Sequence, residues 1–386
     1  MRRRVVSIPY ARHTLGRAEE RAVLEVLRCG PLTQGPRVVS LERAFARRLR
    51  RRYAVAVSSG TAALHTAVHA MRLPAGSEVI TSPLTFAATV NVLVHAGLVP
   101  RFCDVDADSG VLMPENVASA INRRTSALLP VDYAGFPCDG RSLRALARRH
   151  RLALIEDSSH LLGGRQQGRS AGGWADIAVF SLHPSKAIAA GEGGVLVTDN
   201  AQLAERARRF REHGFSRTSA STRAYSRDIA EPGLNYRLSE IHASLASVQL
   251  KRLGTFMRQR AAISRSYSRH LSGFDWLDLP AIPELQGDVH AWHLYVVRLR
   301  LERLRVGRDR ILSELRGQGV GAQVHYRPVC TYQYYVRRWP EAPKHCSRAI
   351  SFSKRCLSLP LFPSLGTDQQ DRVVRILKQA LSSARW

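Results

Sequence analysis

The stretch "FSLHPSKAIAAGEGGVLVTDN" (residues 180–200) joins two apolar, strand-like runs through a lysine and a glycine-rich turn. The chain has 58 lysine and arginine residues, of which five are lysines, so Lys186 stands in a protein that otherwise uses arginine. A lysine, unlike an arginine, can lose its proton when it is removed from water and then act as a nucleophile. Its position before the glycines therefore indicates a chemical need for an amine.

Short apolar runs alternate with helical stretches from residue 54 onward. Runs that are apolar throughout indicate strands buried on both faces of a largely parallel sheet. We therefore predict an α/β fold, with helices at 60–71, 85–97, 141–150 and 201–214. The predicted strands are "AVAVSS" (54–59), "SEVITS" (77–82), "PRFCDVD" (100–106), "SALLPVDYAG" (126–135), "LALIEDSS" (152–159), "DIAVFSL" (176–182) and "GVLVTDN" (194–200).

The pattern changes after this region, and we predict a surface loop over 215–233 because it is polar and poor in aliphatic residues. Apolar spacing predicts helical structure over 238–271, as two helices. A smaller α+β unit is expected after about residue 285. Its predicted elements are a strand at 292–301, a helix near 308–318, a strand at 321–326 and a terminal helix from about Asp368. We predict a large domain over 1–240 and a smaller C-terminal domain, with the connecting helices, over 241–386.

The net charge of +27 at pH 7 raises the question of nucleic-acid binding. The arginines are spread along the chain, in segments such as "RRLRRR" (47–52) and "RARRFRE" (206–212). They lack the interleaved aromatic residues that stack on single-stranded nucleic acid. We interpret the charge as a solvated surface and expect no nucleic-acid partner, although a basic nucleic-acid-binding protein stays the alternative. The positive electrostatic field of a basic protein also attracts phosphate-bearing substrates.

Cysteine usage and hydropathy favour a soluble, cytoplasmic protein. The six cysteines are scattered without a C-x-x-C pair, so we expect neither a disulfide framework nor a metal site. No apolar run approaches the roughly 20 residues of a membrane span. The start, "MRRRVVSIPYARH", lacks the apolar stretch of a signal peptide.

Candidate site residues follow the predicted strands, because ligands of open α/β sheets bind beyond the carboxyl ends of the strands. "SSGTAAL" (58–64) ends one strand and opens a helix, where free backbone N–H groups bind phosphate. Glu156 and Asp157 end another strand, and a carboxylate buried there needs a partner. Serine and threonine are also ordinary helix caps, and such carboxylates also form structural salt bridges.

Together these residues match the needs of pyridoxal 5'-phosphate (PLP). Its phosphate requires an anion site, its pyridinium nitrogen an aspartate, and its aldehyde a lysine. The strand ends and Lys186 supply all three in order along the chain. Phe86, in "SPLTFAATVN", could stack on the ring, although an aromatic residue in an apolar stretch is most often part of the core.

Seven motifs, in order and spacing, make the chain resemble the DegT/StrS family of nucleotide-sugar aminotransferases. The resemblance runs from "LTQGPRV" (32–38) to "LSLPLFPSL" (357–365) and implies PLP-dependent transferase fold type I, the aspartate-aminotransferase-like fold. The motifs are "SSGTAALH", "TFAATVNVLVHAG", "VDYAGFPCD", "IEDSSHLLGG", "FSLHPSKAIAAGEGG", "GLNYRLSEIHASL" and "VHAWHLYVVRL".

The resemblance implies roles for individual residues. Lys186 would form the Schiff base with the cofactor aldehyde and later move a proton, while Asp157 would keep the pyridine nitrogen protonated. The remaining cofactor contacts implied are Gly60, Thr61 and Ser181 on the phosphate, Phe86 over the ring, His160 near the cofactor's oxygen, and Asn235 reaching the phosphate from the other subunit of a homodimer. Arg237 would be a further anion contact.

Motif details resemble the branch of the family that works in the pseudaminic-acid pathway, notably "VDYAG", "DSSH" and "AQVHYRPV". This branch moves an amino group from L-glutamate to C4 of a UDP-linked 4-keto-6-deoxy-N-acetyl-hexosamine. Tyr133, His325 and Tyr326 would then lie on the substrate side. Leu182 and the pair Ala189–Ala190 differ from the residues usual in the family. These differences affect the choice of sugar substrate and not the assignment of the cofactor.

Other functions stay open at this point. "VHAWHLYVVR" and "SLPLFP" also suit enzymes that act on a UDP-4-keto-pentose, and a dTDP-linked 3-keto or 4-keto sugar is a further alternative. A related PLP sugar dehydratase typically has histidine where this chain has Lys186, so the lysine argues against that reaction.

Overall fold

The computed structural model describes residues 7–216 and 228–384, so part of the predicted loop 215–233 lies outside the described residues. All seven predicted strands of the first half are confirmed. The strands are β1 (Tyr53–Val57), β2 (Glu78–Thr81), β3 (Val99–Phe102), β4 (Thr125–Leu129), β5 (Ala153–Asp157), β6 (Arg165–Gln166), β7 (Arg169–Ser170), β8 (Ile177–Ser181), β9 (Gly194–Thr198), β10 (Leu277–Asp278), β11 (Tyr295–Leu299) and β12 (Cys356–Leu359).

Within the described part of the chain, one seven-stranded sheet has the order β1-β9-β8-β5-β4-β2-β3. Its strands run parallel from β3 to β8, whereas β9 is antiparallel to both β1 and β8. The predicted α/β fold with a mainly parallel sheet is confirmed. The register places Val57 and Ser181 opposite Gly194, so the ends of β1 and β8 flank the first residue of β9.

Helices cover both faces of this sheet. Alternate residues of β1 point to opposite sides: Ala54 and Ala56 pack with α2, and Val55 and Val57 pack with α3. The helices are α1 (Arg17–Cys29), α2 (Pro36–Leu49), α3 (Gly60–Met71), α4 (Ala87–His95), α5 (Pro114–Ala120), α6 (Gly140–Arg149), α7 (Ala201–Arg211), α8 (Glu240–Leu271), α9 (Arg308–Gly317), α10 (Gln333–Arg338), α11 (Ser347–Arg355) and α12 (Thr367–Ser383). No described helix is long and apolar enough to cross a membrane.

The prediction of two helices over 238–271 is wrong, because α8 is one continuous helix of 32 residues. Its first part buries Leu250 and Leu253 in the core beside the large sheet. Its last part buries Ile263 and Tyr267 in a second core. Packing at both ends holds the helix together through Gly254, which a helix tolerates at a cost of about 1 kcal/mol relative to alanine.

The second core belongs to a three-stranded antiparallel sheet, β10-β11-β12, covered by α9 and α12. The predicted strand at 292–301 and the two predicted helices are confirmed as β11, α9 and α12. The predicted strand at 321–326 is wrong: Gln323 makes a single bridge to Ser358 before the chain turns away from the sheet. The domain boundary at 240/241 coincides with the start of α8 and stays a prediction.

Arg260 of α8 links the second core to the large sheet. The residue is 2% exposed, and its guanidinium donates to the backbone carbonyls of Trp292, His293 and Leu361 at 3.1–3.3 Å. Burial lowers the pKa of Arg260 to about 10, so the group keeps its charge at neutral pH. The ring centre of His293 lies 4.2 Å from that of His160, a candidate site residue. By holding the backbone of His293, Arg260 supports the position of His160.

Candidate active site

A cavity of about 480 Å³ opens beyond the carboxyl ends of β1, β5 and β8, where open α/β sheets bind ligands. The sequence folds this way because three strand ends carry small or polar residues in place of apolar ones. The predicted residues that line it are Gly60, Thr61, Phe86, Asp157, His160, Ser181, Lys186, His325 and Tyr326.

The first wall of the cavity is the start of α3. Ser59 caps this helix by accepting a hydrogen bond from the backbone N–H of Ala62 at 3.0 Å. A Cβ added at Gly60 would lie 2.9 Å from Oγ of Ser181, so glycine lets the helix start approach the end of β8. The N–H groups of the first helical turn face no intrahelical acceptor, which makes this corner an anion site.

Asp157 forms the base of the cavity at the end of β5. Its Oδ2 accepts a hydrogen bond from Thr89 Oγ1 at 2.8 Å, and its Oδ1 accepts one from the backbone N–H of Ser159 at 3.1 Å. Thr89 is itself held by Thr85, whose hydroxyl lies 2.8 Å away. These bonds fix the direction of a carboxylate that is 5% exposed.

Lys186 lies in the loop between β8 and β9, and its backbone N–H donates to the carbonyl of His183 at 2.8 Å. Removal from water lowers the pKa of Lys186 to about 8, while the negative charge of Asp157 acts in the opposite direction. A lysine with this pKa holds a neutral, nucleophilic fraction near physiological pH.

His160 is a neutral hydrogen-bond donor toward the cavity. Burial, together with the charge of Lys186, lowers the pKa of His160 well below its ordinary value. The backbone N–H of Ala134 donates to Nδ1 at 3.2 Å, so the ring proton must reside on Nε2. Nε2 lies 3.3 Å from the hydroxyl of Tyr326.

His325 and Tyr326 enter the cavity from the segment that follows Gln323, and Tyr326 packs against the core beside the large sheet. Nδ1 of His325 lies 2.8 Å from Oγ of Ser358, and burial lowers the pKa of His325 to about 4. Burial also raises the pKa of Tyr326, so both groups are uncharged at neutral pH. Tyr10, from the N-terminal segment, packs on His325 with 5.6 Å between the ring centres.

Phe86 stands at the mouth of the cavity with 61% of its surface exposed. Its ring centre lies 6.1 Å from that of Tyr326. An aromatic ring left this exposed at a cavity offers an apolar face for a planar ligand.

Three predicted residues do not line this cavity. Tyr133 is buried behind it and donates to the carbonyl of His325. Asn235 is exposed, and Arg237 pairs through its backbone with Val57. Their roles stay predictions.

The structure also brings in residues that sequence reasoning missed. Thr89 lies inside a helix, and Tyr10 lies far along the chain from every strand end. A search for site residues at the ends of predicted strands therefore finds neither of them. Thr89 could have been found from the sequence, because Thr85 and Thr89 are four residues apart after a predicted strand, which is the spacing of side chains on one face of a helix.

The profile of the DegT/DnrJ/EryC1/StrS aminotransferase family matches residues 13–378. The chain belongs to this family. Among solved structures, this aminotransferase is similar to Helicobacter pylori PseC, an aminotransferase involved in the biosynthesis of pseudoaminic acid, with 31% identity, 98% of this chain and 100% of that chain covered, and a TM-score of 0.92. It is also similar to the putative sugar aminotransferase Spr1654 of Streptococcus pneumoniae in its PLP form, with 25% identity, 98% and 99% coverage, and a TM-score of 0.90.

The aminotransferase therefore has the α/β architecture of fold type I and depends on PLP, as its family does. The residues present fit the cofactor. Gly60 leaves room beside the anion corner, and a fixed carboxylate lies at the base of the cavity. The exposed ring of Phe86 lines the same cavity as an amine of lowered pKa.

We predict that Gly60→Ala weakens PLP binding by the aminotransferase by about 1–3 kcal/mol, because the new methyl group overpacks the corner against Ser181. The backbone of Gly60 does not have positive φ, so the contact and not the backbone opposes alanine. PLP affinity is measured by absorbance titration of the apoprotein. Gly317→Ala is the control, since a Cβ there meets nothing within 4 Å. Equal affinity in both variants would contradict the assignment of the corner.

We predict that the rate at which apoprotein takes up PLP rises with pH, with a midpoint near 8 instead of the ordinary lysine value of about 10.4. The reason is that only the neutral amine of Lys186 attacks an aldehyde. In Asp157→Asn the midpoint moves to lower pH, because a charge that favours the ammonium form is gone. Lys354→Ala, at an exposed lysine, leaves the midpoint unchanged. Stopped-flow absorbance gives the profile, and a rate independent of pH between 7 and 9 would refute it.

Proposed function

We propose that the enzyme moves an amino group from L-glutamate to C4 of a UDP-linked 4-keto-6-deoxy-N-acetyl-hexosamine, in the cytoplasm. The main support for this proposal is the similarity to PseC, at 31% identity over 98% of this chain and 100% of that chain. Motifs "VDYAG", "DSSH" and "AQVHYRPV", which resemble the same branch of the family, support it.

Bound PLP would supply an aldehyde that accepts the amino group and a protonated ring that withdraws electrons from the reacting carbon. Lys186 would hold the cofactor and then, as a neutral amine, take and return a proton at its Nζ. Its lowered pKa suits both duties near neutral pH. Asp157 would hold a proton on the ring nitrogen, and the hydrogen bond from Thr89 would keep the carboxylate aimed at it.

The sugar would meet uncharged groups in the upper cavity. His160, His325 and Tyr326 are neutral at physiological pH. His160 can donate a hydrogen bond through Nε2, and the hydroxyl of Tyr326 can donate or accept one. Such groups suit sugar hydroxyls, which need directional hydrogen bonds and not ion pairs. Phe86 would cover a face of the cofactor ring.

The cavity of one chain is short of positive charge. Among the described residues that line it, Lys186 is the only lysine or arginine. A phosphate, a UDP diphosphate and the carboxylates of glutamate all need cations or further donors. We therefore propose a homodimer in which Asn235, and with it Arg237, reach the partner's cavity.

Exposed apolar side chains support this dimer. Leu27 of α1, Leu32 and Leu234 are 54%, 53% and 39% exposed. Leu234 precedes Asn235 directly, and Thr33 is bridged to Ser239, so these residues lie in neighbouring segments. Covering such a surface is the usual driving force for a homodimer.

A UDP-4-keto-pentose or a dTDP-linked 3-keto or 4-keto sugar is the second candidate acceptor. DesV of S. venezuelae matches at 33% identity with a TM-score of 0.85, so sequence identity alone does not favour the similarity to PseC, at 31%. Pocket shape decides among these sugars.

An acceptor panel tests the proposed substrate. UDP- and dTDP-linked 3-keto and 4-keto sugars are each supplied with L-glutamate, and amination is read as a mass shift. We expect amination of the UDP-4-keto-6-deoxy-N-acetyl-hexosamine, at C4. Amination of dTDP-3-keto sugars alone would overturn the substrate while leaving the family unchanged.

Subunit mixing tests the dimer. We expect Lys186→Ala and Asn235→Ala subunits to be nearly inactive when each is expressed alone. If Asn235 serves the partner's site, a mixed dimer regains one intact site, and random mixing restores about a quarter of wild-type activity. Transaminase activity after co-expression is the measurement. No recovery on mixing would place Asn235 in its own subunit's site or outside any site.

A further inference from the structure

A second cavity, of about 810 Å³, lies along the outer edge of the large sheet. It is bounded by β3, by α5 and by the segment 338–348, and it shares no lining residue with the active-site cavity. Its lining includes three carboxylates, Glu78, Asp104 and Glu341, and four arginines, Arg101, Arg124, Arg338 and Arg348.

The edge strand is unsuited to pairing with another strand. β3 is the last strand of the sheet and carries Pro100 and Arg101. Proline lacks an N–H donor, and charged residues on an edge discourage strand addition. The cavity is therefore better suited to a small ligand than to an extended peptide.

The carboxylates of this cavity already have partners. Glu78 pairs with Arg101 at 3.3 Å and also with Arg124. Asp104 accepts hydrogen bonds from the backbone N–H groups of Arg348 and Ala349 at 2.8 and 2.9 Å, which caps the start of α11.

The third carboxylate, Glu341, pairs with Lys344 at 2.9 Å. Glu78 and Glu341 are thus paired with other cations, whereas Asp104 is held by backbone N–H groups of α11 and forms no ion pair with a guanidinium in the described part of the chain. Four arginines and three carboxylates line the cavity, and Lys344, which is not a lining residue, adds a positive charge beside Glu341.

Two guanidinium groups are left over. In the described part of the chain, neither Arg338 nor Arg348 pairs its guanidinium with a carboxylate. Arg348 approaches only the sulfur of Met113, at 3.9 Å, and Arg338 lies 5.3 Å from the ring centre of Trp339. Arginine presents a planar fork of donors that matches the oxygens of a phosphate.

We propose that this cavity binds a phosphorylated small molecule through Arg338 and Arg348, at a site separate from the active site. The volume falls in the range of natural ligand pockets, roughly 300–1,000 Å³. The phosphate belongs to a nucleotide or to a free inorganic phosphate species, and the two sources share the same contacts to the arginines.

The cavity is physically connected to the active site through one segment. His325 and Tyr326 line the active-site cavity, and the chain runs on from them to Arg338. Between these points the backbone N–H of Val329 donates to the carbonyl of Pro83 at 2.8 Å, next to the segment that carries Phe86. A ligand in the second cavity would therefore contact a chain segment that also contributes to the lining of the first.

Calorimetric titration of the PLP-loaded enzyme with inorganic diphosphate, and separately with UDP, tests the proposal. The variant Arg338→Gln/Arg348→Gln is compared with Arg123→Gln/Arg337→Gln, which removes the same charge at exposed arginines outside the cavity. Besides binding at the active site, we expect a second binding event that the first variant weakens about tenfold or more and that the control keeps as in the wild type. Unchanged transaminase activity and circular dichroism show that both variants are folded.

Hydrogen exchange locates the ligand: bound diphosphate or UDP is expected to protect amides of 99–104 and 338–348. Equal affinity for diphosphate and UDP identifies a free phosphate species, whereas tighter binding of UDP identifies a nucleotide. Equal weakening in both variants, or protection confined to the active-site segments, would overturn the proposal.

Discussion

The site depends on the close approach of three chain segments at Gly194. This residue opens β9 and lies opposite both Val57 and Ser181, and a Cβ in its place would collide with the carbonyl of Ser59. Without a side chain at this point, the start of α3 can settle over the ends of β1 and β8. The anion corner is therefore a consequence of strand register and of the missing side chains at Gly60 and Gly194.

The same geometry sets the electrostatics of Lys186. The amine enters a cavity that it shares with the uncharged His160, His325 and Tyr326, and removal from water there weakens the ammonium form. Asp157 opposes this effect and keeps the pKa near 8 instead of lower. An arginine in this place would stay charged, since its pKa lies above about 12. The balance explains why a chain that otherwise uses arginine has a lysine here.

Most of the large sheet could be predicted from the sequence, because strands buried on both faces leave continuous apolar runs. The strand ends then located Gly60, Asp157 and Lys186, which the structure brings together. Thr89 and Tyr10 escaped notice, since their positions depend on how α4 and the N-terminal segment pack. The continuous helix α8 and the absence of the predicted strand at 321–326 have the same cause. In both places the local sequence permits more than one conformation, and contacts with the second core decide which one forms.

The most direct measurement is reduction of the purified enzyme with borohydride, followed by digestion and mass mapping. Reduction fixes the cofactor on the amine that holds it. We predict a pyridoxyl group on the peptide that contains Lys186, and no such group in a Lys186→Arg variant. A label on Lys251, Lys344, Lys354 or Lys378, or no label on any peptide, would contradict the account of this site.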